Sequence, residues 1–525
     1  MRIAVVGGGP GGLLMAALAK SADPSREVTV FERNRAEDTF GFGVVFSDAT
    51  LAGIHEADPV LRDALTDHGV HWEHIEVRLR GERLSCAGNG MAAVERRTLL
   101  QLMQQRAQTV GVQLRFSEPV EPEDVLAAGY DLVVAADGAN SRIRDQFANV
   151  FQPSAETARA KFIWLGTTYP FEGLTFVHKR GPHGVFAVHG YPIGAGLSTF
   201  IVETDEHSWR LAGLDEFDVT QPAGPSDEKS HRYLEDLFAD LLGGHRLLVN
   251  NSRWGNFRTH RAAHWTHRVG GTAVALLGDS AHTAHFSVGS GTKMAMEDAI
   301  ALVAALDAEP DVDAALAAYE TLRQPQVAKI QGSARPSLSW WEHFGRTHDT
   351  LPPWQFAYHF LTRSLTDANL RRRDADFDDA AHESWRAVHG TDPLTSPIEV
   401  AGQRVSGRVV PVDDEMVHLP EGDLVLHREA VQGERRWGLH VDAPASEAGL
   451  PPVLDAVAKG VASGAALVAV FAGTALTRRL VCEEVRLSCG ATALLVIDEP
   501  DDGLALTEIL SGRVDLVGVR SGGER

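Results

Sequence analysis

The chain has 525 residues but only three cysteines, Cys86, Cys482 and Cys489, in no metal-ligand spacing. A disulfide framework and a thiolate metal centre both need more of them, closer together. Positive charge is also short: 49 Lys and Arg stand against 71 Asp and Glu, a formal net charge of −22. Nothing in that balance would repay phosphate repulsion, which argues against a nucleic-acid partner. Long apolar runs are missing too. The nearest approach, "GVASGAALVAVFAGTALT" between Lys459 and Arg478, is rich in small residues and at the short limit for a bilayer span. It reads as a buried strand and helix pair. The chain opens directly on "MRIAVVGGG", with no charged-then-apolar leader. A cytoplasmic protein that engages no membrane is therefore expected.

What is present begins with glycine. A chain of this length holds two or three domains. Its first strand-like run, "RIAVVGG", ends in Gly7, Gly9 and Gly12, which fit G-x-G-x-x-G. "LLMAALAK" continues at helical spacing, and "EVTVFER" reads as a second strand ending in Glu32, 20 residues beyond Gly12. Strand, tight turn, helix, strand and acid in that order form a dinucleotide-binding βαβ unit. The glycines let the backbone approach a pyrophosphate at the helix N-terminus, where free N–H groups and partial positive charge wait. Glu32 can accept hydrogen bonds from ribose hydroxyls.

Two more blocks extend the site. "YDLVVAADGANSRIR" delivers Asp137 at the end of an apolar strand, and "GTAVALLGDSAH" does the same for Asp279. Either aspartate alone reads as a turn residue or helix cap. Together they put carboxylates at the C-terminal ends of two strands, where ligands bind in open α/β sheets. Three loops converging on one extended ligand suit FAD better than NAD. A second glycine turn, Gly289-Ser290-Gly291, opens the helix "GTKMAMEDAIAL".

Between these blocks, residues 155 to 255 alternate apolar and polar side chains in short runs such as "LTFVHKR", "GVFAVHGYPI" and "LSTFIVET". That is the pattern of an antiparallel sheet with one buried face. "HKRGPH" (His178, Lys179, Arg180, His183) is a local basic cluster, either a solvated hairpin or a handle for an anionic substrate. His260, His264 and His267 lie close in sequence but have no acidic or thiolate partner nearby, so no metal is expected. Trp340, Trp341 and Phe344 sit at helical spacing and read as core. A polar, Asp-rich and Pro-bearing stretch, "RRRDADFDDAAHESWRAVHGTDPLTSP", reads as a link.

The glycine loop with Glu32-Arg33, the Asp137-Gly138 block and the "GDSAH" block with its glycine turn and "AMEDA" together resemble the single-component flavin-dependent aromatic hydroxylases, the family of para-hydroxybenzoate hydroxylase. The resemblance covers about residues 1 to 390. It implies FAD as cofactor, NADH or NADPH as a visiting co-substrate, and O2. It implies that Glu32 and Arg33 meet the adenosine ribose and that Asp279 meets the ribityl or pyrophosphate region. Arg96 in "ERRTLLQLM" matches the family's R-x-x-L-L arginine near the pyrophosphate, although Arg97 is adjacent. Asp137 belongs to the motif that contacts both FAD and NAD(P)H. Gly289 and Gly291 would point a helix N-terminus at the isoalloxazine, where negative charge gathers on reduction. "GFGVVFSDATL" resembles the loop on the flavin's other side, with Gly43, Val44 and Val45 near the ring.

One departure narrows the substrate. Many members carry proline where Phe286-Ser287 stand. "HTAHFSVGSGTK", "FIWLGTTYPFEGLTF" and "LSTFIVET" instead resemble a subgroup acting on aryl-CoA thioesters, and a related hydroxylase of violacein biosynthesis. The implied reaction is hydroxylation of salicylyl-CoA at C5. His282 or His285 would bond the ring hydroxyl, unless both only shape the loop, and Phe46, His178, Lys179, Arg180, His189 and Phe286 would line the substrate site. A hydroxylase of a free aromatic or tryptophan-derived compound, a non-hydroxylating flavoprotein reductase, and an idle scaffold that binds FAD stay open. The W-x-W-x-I-P run of flavin halogenases is absent.

The expected architecture is α/β. A Rossmann-type FAD-binding domain covers 1–155, with an excursion near 70–95 into a substrate domain whose antiparallel sheet covers 156–258. The FAD-binding domain's second part and a helical region cover 259–395. In the remaining 396–525, "SPIEVAGQRVSGRVVPVDDEM" and "RLVCEEVRLSCGATALLVIDEP" resemble the opening and closing of the old yellow enzyme barrel. A (β/α)8 barrel typically takes about 250 residues. A shrunken remnant without an FMN site is expected, with a structural role such as homodimer formation.

Overall fold

The computed structural model describes residues 1–39, 41–218, 224–289, 291–431 and 436–521, so Ser290 of the second glycine turn lies outside the described residues. The chain divides into two units: Met1–Arg78 with Asn89–Glu342, and Leu79–Gly88 with His343–Arg525.

The first unit holds a sheet in the order Thr266–Val269, Thr272–Leu276, Leu132–Ala135, Arg2–Val6, Glu27–Glu32, Gln113–Phe116. All neighbours are parallel except the Thr266–Val269 and Thr272–Leu276 hairpin. Its central strands are continuous apolar runs, as a sheet covered on both faces requires, and Ile3, Val5 and Leu132–Ala135 are fully buried. Helices Pro10–Ala22 and Gly291–Ala308 pack together on it, close enough that a Cβ on Gly11 would stand 3.0 Å from the Ala295 Cβ. At one edge of the sheet the strand ends present Gly7, Glu32, Asp137 and Asp279 side by side.

A second, antiparallel sheet runs Leu247–Leu248, Pro153–Thr167, Leu197–Thr204, Gly184–Gly194, Leu174–Gly181, with Gly255–Ala262 paired along Pro153–Thr167. Its side chains alternate between faces. Ile163, Leu165, Val177, Phe186, Val188, Phe200 and Val202 close a core with Leu234, Phe238 and Trp254. The opposite face carries Trp164, Phe176, His178, His189, Tyr191, Ile201 and Glu203. A three-stranded sheet of Gly43–Ser47, Met91–Glu95 and Val70–Trp72 meets that face, and a Cβ on Gly43 would collide with Ile193.

The second unit corrects two expectations. The Asp-rich stretch read as a link is mostly the helix Ala375–His389, capped by Asp374 and burying Asp378, Ala381 and Trp385 on one side. Its polarity belongs to the outer face. The tail, read as too short for a barrel, closes one from seven strands: Val409–Val412, Met416–Val417, Leu424–His427, Gly438–Asp442, Leu467–Phe471, Ala493–Ile497 and Leu516–Arg520. Closure is possible because the first three strands are joined antiparallel by short turns, and helices are inserted only among the last four strands. Val410, Val412, Leu424, Leu467, Ala469, Phe471, Leu494, Val496 and Leu516 form its apolar core. The small-residue run is the end of helix Leu450–Ala462, the buried strand Leu467–Phe471 and the start of helix Ala475–Glu483. Among the described residues no helix is long and apolar enough to cross a membrane.

Candidate active site

The three glycines of the first loop do different jobs. Gly7 has φ +114° and a Cβ there would collide with the Ala136 carbonyl. A Cβ on Gly12 would collide with the Gly7 carbonyl. Backbone geometry demands both glycines. Gly9 caps the helix at φ −76°, ψ 175°, and a Cβ there would meet nothing within 4 Å. The space in front of Gly9 is open, at a helix N-terminus whose N–H groups face it.

Around that opening the polar side chains are held in place. The Gly8 N–H donates to Glu32 Oε2 at 2.8 Å, and the Asn34 N–H donates to Oε1 at 2.8 Å, which fixes the carboxylate at the strand end. Arg33 is exposed. Asp137 Oδ2 accepts from the Arg142 N–H at 2.9 Å, while its buried Oδ1 has no hydrogen-bond partner among the described residues. Burial pushes that carboxyl up, against the hydrogen bonds from Ser141 and Arg142. Asp279 and Arg96 face one another electrostatically. Burial pushes the Asp279 carboxyl up, with His282 and Arg96 pulling it down, and burial lowers Arg96 while Asp279 raises it. Asp279 is nevertheless open to solvent by surface area. Both hold for a side chain at the wall of a deep cleft, which solvent reaches but protein surrounds. Arg97 points outward, exposed. At the second turn Gly289 has φ +63°, and a Cβ on Gly289 or Gly291 would again meet nothing within 4 Å.

The loop between these glycine turns separates the two histidines. His282, 2% exposed, places Nε2 2.8 Å from Asp298 Oδ2, and Asp298 also accepts from Arg323 Nε at 2.8 Å and the Gly278 N–H at 3.0 Å. Burial would raise the Asp298 carboxyl, but His282 and Arg323 hold it below its ordinary value. His282 thus ties the "GDSAH" turn to helix Gly291–Ala308. His285 faces the other way. Its ring lies 4.3 Å from Phe286 and 4.9 Å from Phe257, and its Nε2 is 3.8 Å from Glu203 Oε1.

Phe286 stands against the polar-studded face of the antiparallel sheet, its ring 4.9 Å from Phe162, 5.7 Å from Trp164 and 5.6 Å from His189. His189 Nε2 lies 3.1 Å from Glu203 Oε1, and its ring is 4.4 Å from Trp341. His178 stacks on Trp341 at 6.1 Å and 4°. The result is an aromatic cluster with buried polar groups, beside the Gly43–Ser47 strand.

Several expected residues fall elsewhere. Phe46, 2% exposed, and Val44 belong to the core of the nucleotide-binding half, because strand alternation turns Val45 toward the pocket instead. The basic cluster is split by the same alternation. His178 points inward, Lys179 is ion-paired with Asp240, His183 Nδ1 is 3.0 Å from the Tyr233 hydroxyl, and Arg180 is exposed.

The comparisons agree with this geometry. Residues 85–334 match the family model described as FAD binding domain. A salicyloyl-CoA 5-hydroxylase from Streptomyces sp. is 54% identical over 524 residues, 99% of each chain. A 3-hydroxy-4-methyl-anthranilyl-(aryl-carrier protein) 5-monooxygenase from Streptosporangium sibiricum is 36% identical over 388 residues, 74% of this chain and 99% of that one. The chain belongs to the flavin-dependent aromatic hydroxylases. The fold is that of 2-methyl-3-hydroxypyridine-5-carboxylic acid oxygenase, with a TM-score of 0.52 at 19% identity over 69% of this chain and 98% of that one.

The hydroxylase's cofactor is FAD, and the residues fit it: open space before Gly9, Gly289 and Gly291, the oriented Glu32, and the unpartnered Asp137 Oδ1. Sequence reading assigned no role to Asp298, Arg323, Trp164 or Glu203. A signal existed for Glu203: an acid in the apolar strand "LSTFIVET", at the same parity as Ile201.

Proposed function

We propose that this hydroxylase uses NADH or NADPH and O2 to hydroxylate an aryl-CoA thioester, converting salicylyl-CoA to gentisyl-CoA by attack at C5. The observation that carries the reading is the aromatic cluster of Trp164, Phe162 and Phe286 with His189, Glu203 and His285 buried beside it. A flat, phenol-bearing ring suits such walls. The end-to-end similarity to a salicyloyl-CoA 5-hydroxylase supports the substrate class.

When bound, reduced FAD activates dioxygen for transfer to an electron-rich ring. The chain's own residues do the rest. Glu32 would hold the adenosine ribose, and the helix N-terminus at Gly9 the pyrophosphate, with Arg96 and Asp279 alongside. Gly289 and Gly291 leave room for the flavin ring. The aromatic walls exclude water and fix the substrate ring. His285 holds or takes the proton of the ring hydroxyl, and the freed electron pair enriches the para position.

On this reading, residues 1–155 and 259–395 form the FAD-binding domain around the substrate sheet of 156–258. The barrel in 396–525 is a shortened relative of the old yellow enzyme barrel without FMN, a view supported by its apolar interior.

NAD(P)H oxidation and product analysis with salicylyl-CoA, free salicylate and tryptophan test the substrate. Gentisyl-CoA should form from the thioester, with the free acid a poor substrate because the CoA moiety no longer contributes binding energy. Equal turnover of acid and thioester would remove CoA from the reading.

A further inference from the structure

The aromatic cluster contains a buried acid that needs explaining. Glu203 is 1% exposed, in the middle of an apolar strand. Desolvating a lone carboxylate is costly, so its partners define its role. Two imidazoles from different elements stand beside it: His189 of strand Gly184–Gly194 at 3.1 Å, and His285 of the loop before helix Gly291–Ala308 at 3.8 Å. The next titratable group on the same sheet face is His178, stacked on Trp341.

The hydrogen bonding orients His285. Its Nδ1 accepts from the Ser287 N–H at 3.3 Å and lies 2.7 Å from Ser287 Oγ. Ser287 Oγ is in turn 2.9 Å from Ser337 Oγ. With Nδ1 an acceptor, the neutral ring carries its hydrogen on Nε2, facing Glu203. Hydroxyl and carboxylate therefore lie beside opposite nitrogens of one imidazole, with 3.8 Å between Nε2 and Glu203 Oε1, a separation at which the acid's charge favours that tautomer and stabilises the imidazolium.

We infer that Ser287, His285 and Glu203 form a proton relay that draws the hydrogen from the substrate's ring hydroxyl, with Glu203 as its positioning residue. This rests on the phenolic substrate proposed above. The ring O–H bond breaks, and the proton passes to His285 Nδ1, directly or across Ser287 Oγ. The electron pair stays on the oxygen and flows to the carbon that receives the new hydroxyl. The imidazolium so formed points Nε2–H at Glu203, whose fixed charge makes His285 a stronger base. His189, on the same carboxylate, keeps Glu203 ionised between transfers.

The test uses the full-length, FAD-loaded enzyme as wild type, Glu203→Gln and Glu203→Asp. Histidine titration by NMR, with His285→Asn to assign the signal, reads the relay without substrate. An opposite charge within a few ångströms typically moves a pKa by roughly 1–3 units. Glu203→Gln should therefore lower the His285 pKa by about one unit or more, and Glu203→Asp by less. With salicylyl-CoA, Glu203→Gln should move the acid limb of the kcat profile down by a similar amount and lower the plateau by on the order of tenfold to a hundredfold. Glu203→Asp should recover part of that rate. A wild-type titration of His285 in Glu203→Gln would overturn the relay. If wild type left salicylyl-CoA unchanged, the substrate reading would fall, and the NMR result would still decide the role of Glu203.

Discussion

Gly9→Val separates what the fold needs from what the cofactor needs. At φ −76° and ψ 175° the backbone is in a region open to any residue, and a Cβ has no neighbour within 4 Å. Loss of a glycine cap in favour of a β-branched residue costs the helix about 1 kcal/mol or less, so the flavin-free protein should unfold within a few degrees of wild type. FAD should suffer far more. A branched side chain in front of the first helical turn keeps the pyrophosphate from N–H groups that would each give a charge-assisted hydrogen bond of about 1.5–3 kcal/mol. Losing two of them amounts to about 3–6 kcal/mol, or roughly 10²- to 10⁴-fold in Kd. The assay is the flavin-to-protein absorbance ratio of purified enzyme, beside thermal unfolding after flavin removal. Gly12→Ala is the contrast, since its Cβ would collide with the Gly7 carbonyl and should destabilise the fold itself. A Gly9→Val enzyme carrying a full complement of FAD would refute the reasoning, and so would one that fails to fold.

Three further outcomes follow from particular contacts. Glu483 lies buried with Arg346 at 2.7 Å and Arg513 at 3.4 Å, so Glu483→Gln should cost about 3–5 kcal/mol in urea unfolding at neutral pH. Burial alone would raise the Glu483 carboxyl, but Arg346, His359 and Arg513 hold it down at about 2. Its stabilisation is thus full above the unfolded value of 4.5 and fades as pH falls toward 2, a decline the variant should lack. Burial and then Arg513 push His359 from 6.5 down to about 3, so the unfolded chain takes up a proton that the folded one refuses, and stability should drop further over that range. His282→Asn should loosen the Asp298–Arg323 brace and lower Tm, whereas His285→Asn should abolish hydroxylation with FAD still bound. Cofactor extracted from the purified enzyme should be one FAD per chain with no FMN, and stoichiometric FMN would overturn the reading of the barrel.

The βαβ unit was legible in the sequence because its parts are local. Gly7, Gly9, Gly12 and Glu32 lie within one βαβ unit, and their spacing follows from backbone geometry. The barrel's two ends were read from their resemblance but its closure was not, since a typical chain length says little about a barrel whose strand Met416–Val417 is two residues long. The helix Ala375–His389 hid behind its acids, although Ala381 and Trp385 stand four apart on its buried side. "HKRGPH" looked like one patch because sequence proximity ignores the pleat, which sends His178 and Lys179 to opposite faces.

Glu203 and Asp298 show where single-sequence reading reaches its limit, and why. Each is an acid in an apolar run, and burial of such a group implies partners without naming them. Asp298 finds His282 16 residues away and Arg323 25 residues away, and only the packing of two helices on the turn between them brings the three together. For Glu203 the strand's parity does say more. Phe200 and Val202 enter the apolar core, so Ile201 and Glu203 must face the other way, toward whatever that sheet covers. Ile201 meets Tyr191 and Trp72 there, and Glu203 meets two histidines. Alternation alone therefore places a carboxylate on the face that His189 shares; what it could not supply was the loop from "GDSAH" that folds back to bring His285 within 3.8 Å of it.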